Sequence, residues 1–135
     1  LLGRPAPGLL PLAAAQLVQR RGIGCGAAVA AEALELGYRH IDTAEMYDNE
    51  GEVAHAIADS GVSRQELFLT TKVWNNHLHF NEVLRACENS LRALQVAVID
   101  LHLVHWPEAG VPIAEPVAVS TVAPTMAVGG AARGW

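Results

Sequence analysis

Between about Ala27 and Pro107 the chain alternates two hydrophobic patterns, amphipathic stretches of helical period and short apolar runs bounded by turn residues. Ala27 to Leu36 is built from good helix formers, and Gly37 stands where a C′ glycine ends a helix. Arg39 to Thr43 then reads as a short strand. Asn49 to Ser60 reads as a helix with Val53 and Ile57 on one face and Gly61 as its stop. Leu67 to Trp74 is rich in β-branched and aromatic residues and predicts a second strand. Asn81 to Leu94 is the clearest amphipathic helix, with Val83, Cys87, Leu91 and Leu94 in one stripe. Val98 to His105 predicts a third strand, interrupted by Asp100 and His102. Strands alternating with helices of this length predict βαβ units and a parallel sheet, with the C-terminal strand ends gathered at one rim. In closed barrels and open α/β sheets alike, sites form at that rim.

The two ends read differently. No acidic residue precedes Glu32 and none comes after Glu115. Residues 1–26 are Leu/Ala/Pro/Gly-rich, and residues 110–135 are Ala/Val/Pro/Gly-rich. Neither end shows clear periodicity, although Val117 to Val122 fits a short strand, so both are expected to be poorly ordered. The expected organisation is an atypical N-terminal segment over 1–26, a β/α core over 27–107, and a divergent tail over 108–135. The first segment has no basic region ahead of an apolar one, which argues against a targeting leader. Gly22-Ile23-Gly24-Cys25-Gly26 comes after Gln19-Arg20-Arg21 rather than a strand and lacks the glycine spacing of a dinucleotide fingerprint.

Composition narrows the function classes. A chain of 135 residues with 51% hydrophobic residues supports one core. A net charge of −5 supplies no basic patch for nucleic acid, and no apolar run suggests a membrane span. Cys25 and Cys87 have no ligand-like spacing and are expected to be reduced thiols in a cytoplasmic protein.

The candidate chemistry lies at the strand ends. Side chains alternate faces along a strand, so His40 shares a face with Asp42, Phe68 and Thr70 share one with Lys72 and Trp74, and Leu101 and Leu103 share one with His105. If these are the inward sets, Asp42, Lys72 and His105 emerge near one rim, where the next loop can fold Tyr47 over them. Lys72 is the sole lysine, and in an apolar strand it needs a partner. A phenol with its ordinary pKa of about 10 is a poor acid near neutrality, and a buried ammonium lowers that value by stabilising the phenolate. Asp42 offsets the burial of the ammonium, and His105 can hydrogen-bond a substrate carbonyl. Trp74 and Trp106 offer apolar walls. Each residue also has a structural reading: Asp42 as a turn cap, Tyr47 as a rim aromatic, His105 as a core histidine, Trp106-Pro107 as a strand stop. Their conjunction at equivalent strand ends favours chemistry. His77, His79 and His102 lack the carboxylate or thiolate that would complete a metal site, so solvated histidines are expected and no metal.

Three motifs carry a family resemblance: Asp42-Thr43-Ala44-x-x-Tyr47 with Asn49-Glu50, Thr71-Lys72-Val73-Trp74, and Asp100-Leu101-x-Leu103-Val104-His105-Trp106-Pro107. The chain over about residues 27–107 resembles the aldo-keto reductase superfamily. That resemblance implies a (β/α)8 TIM barrel, of which this chain holds about the first half, and NADPH-dependent reduction of aldehydes and ketones. It implies Tyr47 as proton donor and Lys72 as the residue lowering its pKa. Asp42 pairs with that lysine at the cofactor, His105 orients the carbonyl, and Trp74 and Trp106 line the substrate pocket. Asp48 stands where the family usually has glycine, and Ala97-Val98 replaces an acidic-tyrosine pair. Residues 1–26 do not show the family's first strand. Residues 110–135 do not resemble the family's next unit, whose strand ends in a Ser-Asn pair that holds the nicotinamide.

A barrel of this kind needs about 250 residues, so most of the cofactor site is expected to lie outside this chain. A fragment or a reading-frame disruption is the expected origin. A family-like sequence in another frame would support the disruption, and a clean frame throughout would oppose it. The alternative reading is a catalytically inactive truncated remnant. It would act at most through a partner or through self-association at open sheet edges.

Overall fold

The computed structural model describes residues 15–16 and 25–112. Among the described residues four strands form one parallel sheet in chain order: β1 (Ala15–Gln16), β2 (His40–Asp42), β3 (Phe68–Val73) and β4 (Leu101–Val104). Three helices alternate with them: α1 (Cys25–Glu35), α2 (Glu50–Ser60) and α3 (Phe80–Ala93). The helices and the last three strands fall where the hydrophobic pattern predicts them, within a few residues at the ends. β1 is a correction. The sequence shows no strand in residues 1–26, yet Ala15 pairs with Ile41 and Gln16 with Asp42. Two residues are too few for alternation to be legible, so the pairing with β2 defines this strand. The strand expected over 117–122 lies outside the described residues.

The helix stops arise from local chemistry. Gly37 (φ 94°) and Gly61 (φ 67°) end α1 and α2 in the left-handed conformation that glycine adopts without cost. α3 ends the same way on Gln95 at φ 55°. Gly26 is crowded for a different reason: a Cβ there would lie 2.5 Å from a carboxylate oxygen of Glu52, so the Glu52 side chain would have to shift. That oxygen accepts the amides of Gly26 (2.9 Å) and Ala27 (3.3 Å), so a side chain of α2 caps the start of α1.

All three helices cover one face of the sheet. Ile41 and Leu69 from the strands and Ile99 ahead of β4 pack with Ala30, Leu34, Val53, Ala56, Cys87, Leu91 and Leu94. The predicted stripe of α3 is therefore its buried face. Nearer the rim, Val73 packs with Leu78, Val83 and Ala86. At the opposite end of the strands, Asp100 accepts the amide of Leu69 (2.7 Å) and pairs with Arg64, which also donates to the carbonyls of Leu67 and Val98. Two loops are thereby fastened below the sheet.

Candidate active site

The parallel register places Asp42 beside Thr70, so Lys72 stands one pleat nearer the rim on the same inner face. The Lys72 ammonium hydrogen-bonds Asp42 and donates to the carbonyl of Thr43 at 3.0 Å. The side chains of Lys72 and Asp42 are 12% and 20% exposed, which makes each the other's main charge compensation. A tight helical turn at Glu45–Tyr47 brings the buried Tyr47 ring over this pair, its centroid 5.7 Å from Lys72 Nζ. The His105 ring meets Tyr47 edge-on, with centroids 5.5 Å apart at 85°. Trp106 lies against His105 at 4.3 Å.

The loop carrying Tyr47 is closed by its own flanks. Thr43 donates from its hydroxyl to Asn49 Oδ1 at 2.7 Å, and Thr71 donates to Glu50 Oε1 at 2.6 Å. All four are buried. Within the loop Asp48 takes the left-handed conformation (φ 51°, ψ 35°), which explains why a glycine suits this position.

Burial chiefly, and then the nearby Lys72 ammonium, hold the His105 imidazole below the ordinary histidine range, against an opposing pull from Asp42. Its Nδ1 is buried without a hydrogen-bond partner among the described residues. On the helix side of β4, burial pushes His102 down to about 4, with a smaller opposing contribution from Glu45. Neither ring nitrogen of His102 has a partner among the described residues. Burial raises the Glu50 carboxyl above its usual range, and its bond from Thr71 opposes the rise.

Asp42, Tyr47, Lys72, His105 and Trp106 are thus brought together. Trp74 reaches the same rim, with its indole half-exposed, but a different residue secures it: Glu45 accepts its backbone amide at 2.9 Å. Glu45 also meets His77 Nδ1 at 2.9 Å while the His77 side chain stays 44% exposed; of the histidines expected to be solvated, His102 is the correction, buried at 1% on the helix side of β4. Three supports escape sequence reasoning on chemistry alone: Glu45, the Thr43–Asn49 bond and the Thr71–Glu50 bond. The signal available for the last two was polar residues at positions facing a hydrophobic layer.

The aldo/keto reductase family model matches residues 27–123. The chain is 50% identical over 78 residues to methylglyoxal reductase DkgB of Salmonella typhi, covering 58% of this chain and 29% of that protein. It is 51% identical over 75 residues to glyoxal reductase of Bacillus subtilis, covering 56% and 27%. Among solved structures, an aldo-keto reductase of Bombyx mori in complex with NADP matches with a TM-score of 0.75 at 32% identity, covering 84% of this chain and 42% of that one. An aldo-keto reductase from a Medee basin deep-sea metagenome library matches with a TM-score of 0.69 at 37% identity, covering 80% and 38%. The chain thus spans under a third of the curated relatives' length, and its sheet is part of a (β/α)8 barrel. With the family model matching most of its length and the β/α units superposing on solved barrels, the chain belongs to the aldo/keto reductase family.

Proposed function

We propose that this site reduces an aldehyde or ketone to the alcohol with NADPH, and that Tyr47 donates the proton. The observation that carries the reading is the convergence of a paired ammonium, Lys72, with the Tyr47 ring and the His105 imidazole. Tyr47 gives its phenolic proton to the carbonyl oxygen as negative charge develops there. The Lys72 ammonium stabilises the phenolate left behind, and Asp42 keeps that ammonium in place. His105, held neutral by its surroundings, suits hydrogen bonding to the carbonyl better than delivery of a proton. Trp74 and Trp106 bound the substrate with apolar surface.

The described residues fit the reacting end of such a cofactor. Asp42 is the residue that would face it, beside an imidazole nitrogen with unused hydrogen-bonding capacity. Bound NADPH would supply the hydride to the carbonyl carbon. Three cations on or beside the strands are already engaged and do not offer themselves to its phosphates: Lys72 is paired with Asp42, Arg64 with Asp100, and Arg39 donates to the carbonyls of Leu34 and Tyr38. The relatives named as methylglyoxal and glyoxal reductases support a small dicarbonyl as the first substrate to try.

Titration with NADPH followed by tryptophan fluorescence, then NADPH oxidation with methylglyoxal, tests the proposal. Tyr47→Phe is expected to lower kcat by roughly 10²- to 10⁴-fold with cofactor affinity unchanged. Turnover that survives this change would remove Tyr47 as the acid.

A further inference from the structure

Glu45 opens the same turn that carries Tyr47, and the amide of Asp48 donates to its carbonyl at 3.1 Å, so its backbone is fixed with that turn. Its side chain leaves the turn and crosses to the next loop. There one carboxylate oxygen accepts the Trp74 amide and the other meets His77 Nδ1, each at 2.9 Å. From the opposite flank, Asn75 donates to Glu108 in the loop after β4 at 2.8 Å. Carboxylates from both neighbouring loops therefore grip the segment from Trp74 to His77, which bears one of the rim's two tryptophans. The Glu45 side chain is only 19% exposed, so its side of both contacts is shielded from water. Trp74 itself is 37% exposed and lies just beyond the last paired residues of β3. The sheet ladder alone does not hold it.

We propose that Glu45 is a positioning residue: it ties the Tyr47 turn to the Trp74 loop and so sets the Trp74 indole as a fixed wall for an apolar or aromatic carbonyl compound. The ligand class rests on the proposed function; the tie does not. Glu45 touches no reacting atom in this scheme. It works through a backbone amide, so an uncharged acceptor of the same length should preserve most of its effect, and a methyl group none.

The test uses the full chain with Glu45→Ala and Glu45→Gln, and benzaldehyde as the probe. Amide hydrogen exchange by NMR should show Trp74 protected in the wild type and exchanging about tenfold faster in Glu45→Ala, with Val73 unchanged. Benzaldehyde binding, read from the Trp74 indole N–H resonance, should weaken by about tenfold in Glu45→Ala and recover largely in Glu45→Gln. A merely structural role would lower Tm in both variants without separating them in affinity. Wild-type exchange and affinity in Glu45→Ala would overturn the proposal, as would a Trp74 indole that ignores benzaldehyde in the wild type. Failure of the reductase reading is a separate result, because it appears in the Tyr47→Phe turnover assay and not in these measurements.

Discussion

The two faces of the sheet obey opposite rules. On the helix side Ile41, Leu69, Val73 and His102 are 0–2% exposed, packed under α1, α2 and α3. On the inner side Leu101 and Leu103 are 37% and 38% exposed, beside Thr70 and Lys72 of β3, with Asp42 beyond them on β2. The helix side satisfies the hydrophobic effect and contributes most of the stability. The inner side carries the charged pair of the site beside apolar side chains that, in a complete (β/α)8 barrel, face the barrel interior. One strand serves both purposes because its alternate residues answer to different surroundings.

The comparison breaks most sharply if equivalent truncations on the two faces cost the same. Leu69→Ala is expected to lose roughly 2–5 kcal/mol in urea unfolding, and Leu103→Ala less than about 1 kcal/mol. Equal losses would mean that the inner face is as tightly packed as the outer one.

His102 sharpens the contrast through pH. Its folded-state value of about 4 lies below the ordinary 6.5, so the unfolded chain holds more protons between these limits. Stability is then lost as pH falls from about 6.5 towards 4, on the order of 2 kcal/mol by pH 5. His105 acts with the same sign, and the raised Glu50 with the opposite sign above its ordinary 4.5. The difference between wild type and His102→Leu isolates the His102 contribution. The variant should be more stable at pH 7.5, where an imidazole without a hydrogen-bond partner among the described residues is removed, and further ahead at pH 5. A constant difference across that range would show that His102 does not titrate as a buried base.

The smallest effect concerns the active-site loop. Asp48→Gly relieves a left-handed conformation that costs a non-glycine residue about 1 kcal/mol, so a gain of roughly 0.5–1 kcal/mol in thermal unfolding is expected. A loss would indicate that the Asp48 side chain stabilises the loop by more than its backbone strain.

Much of the fold and of the site is legible in the sequence, and the gaps have identifiable causes. The stripe Val83, Cys87, Leu91 and Leu94 spans three turns, long enough for its period to declare a helix and its buried side. Gly37 and Gly61 announce their helix ends because left-handed backbone selects for glycine. β1 stays hidden because two residues have no period, and only its pairing with β2 makes it a strand. Asp42, Lys72 and His105 can be placed at one rim by counting alternation along parallel strands. Glu45 cannot, because its partners lie 29 and 32 positions away, beyond the reach of any local pattern. The pairing of His77 is invisible for the same reason.

By itself the sequence determined the alternation of helices and strands, the family, and which titratable residues stand near strand ends, because these depend on local periodicity and short motifs. The pairing of Lys72 with Asp42 beneath Tyr47 was already expected from their strand positions, and only the tertiary structure decided what holds it: that Thr43, Asn49, Thr71 and Glu50 lock the loop above, and that Glu45 bridges two rim loops. Each of those contacts joins residues brought together by sheet register and helix packing. Their energies depend on burial that no stretch of chain possesses until the others cover it.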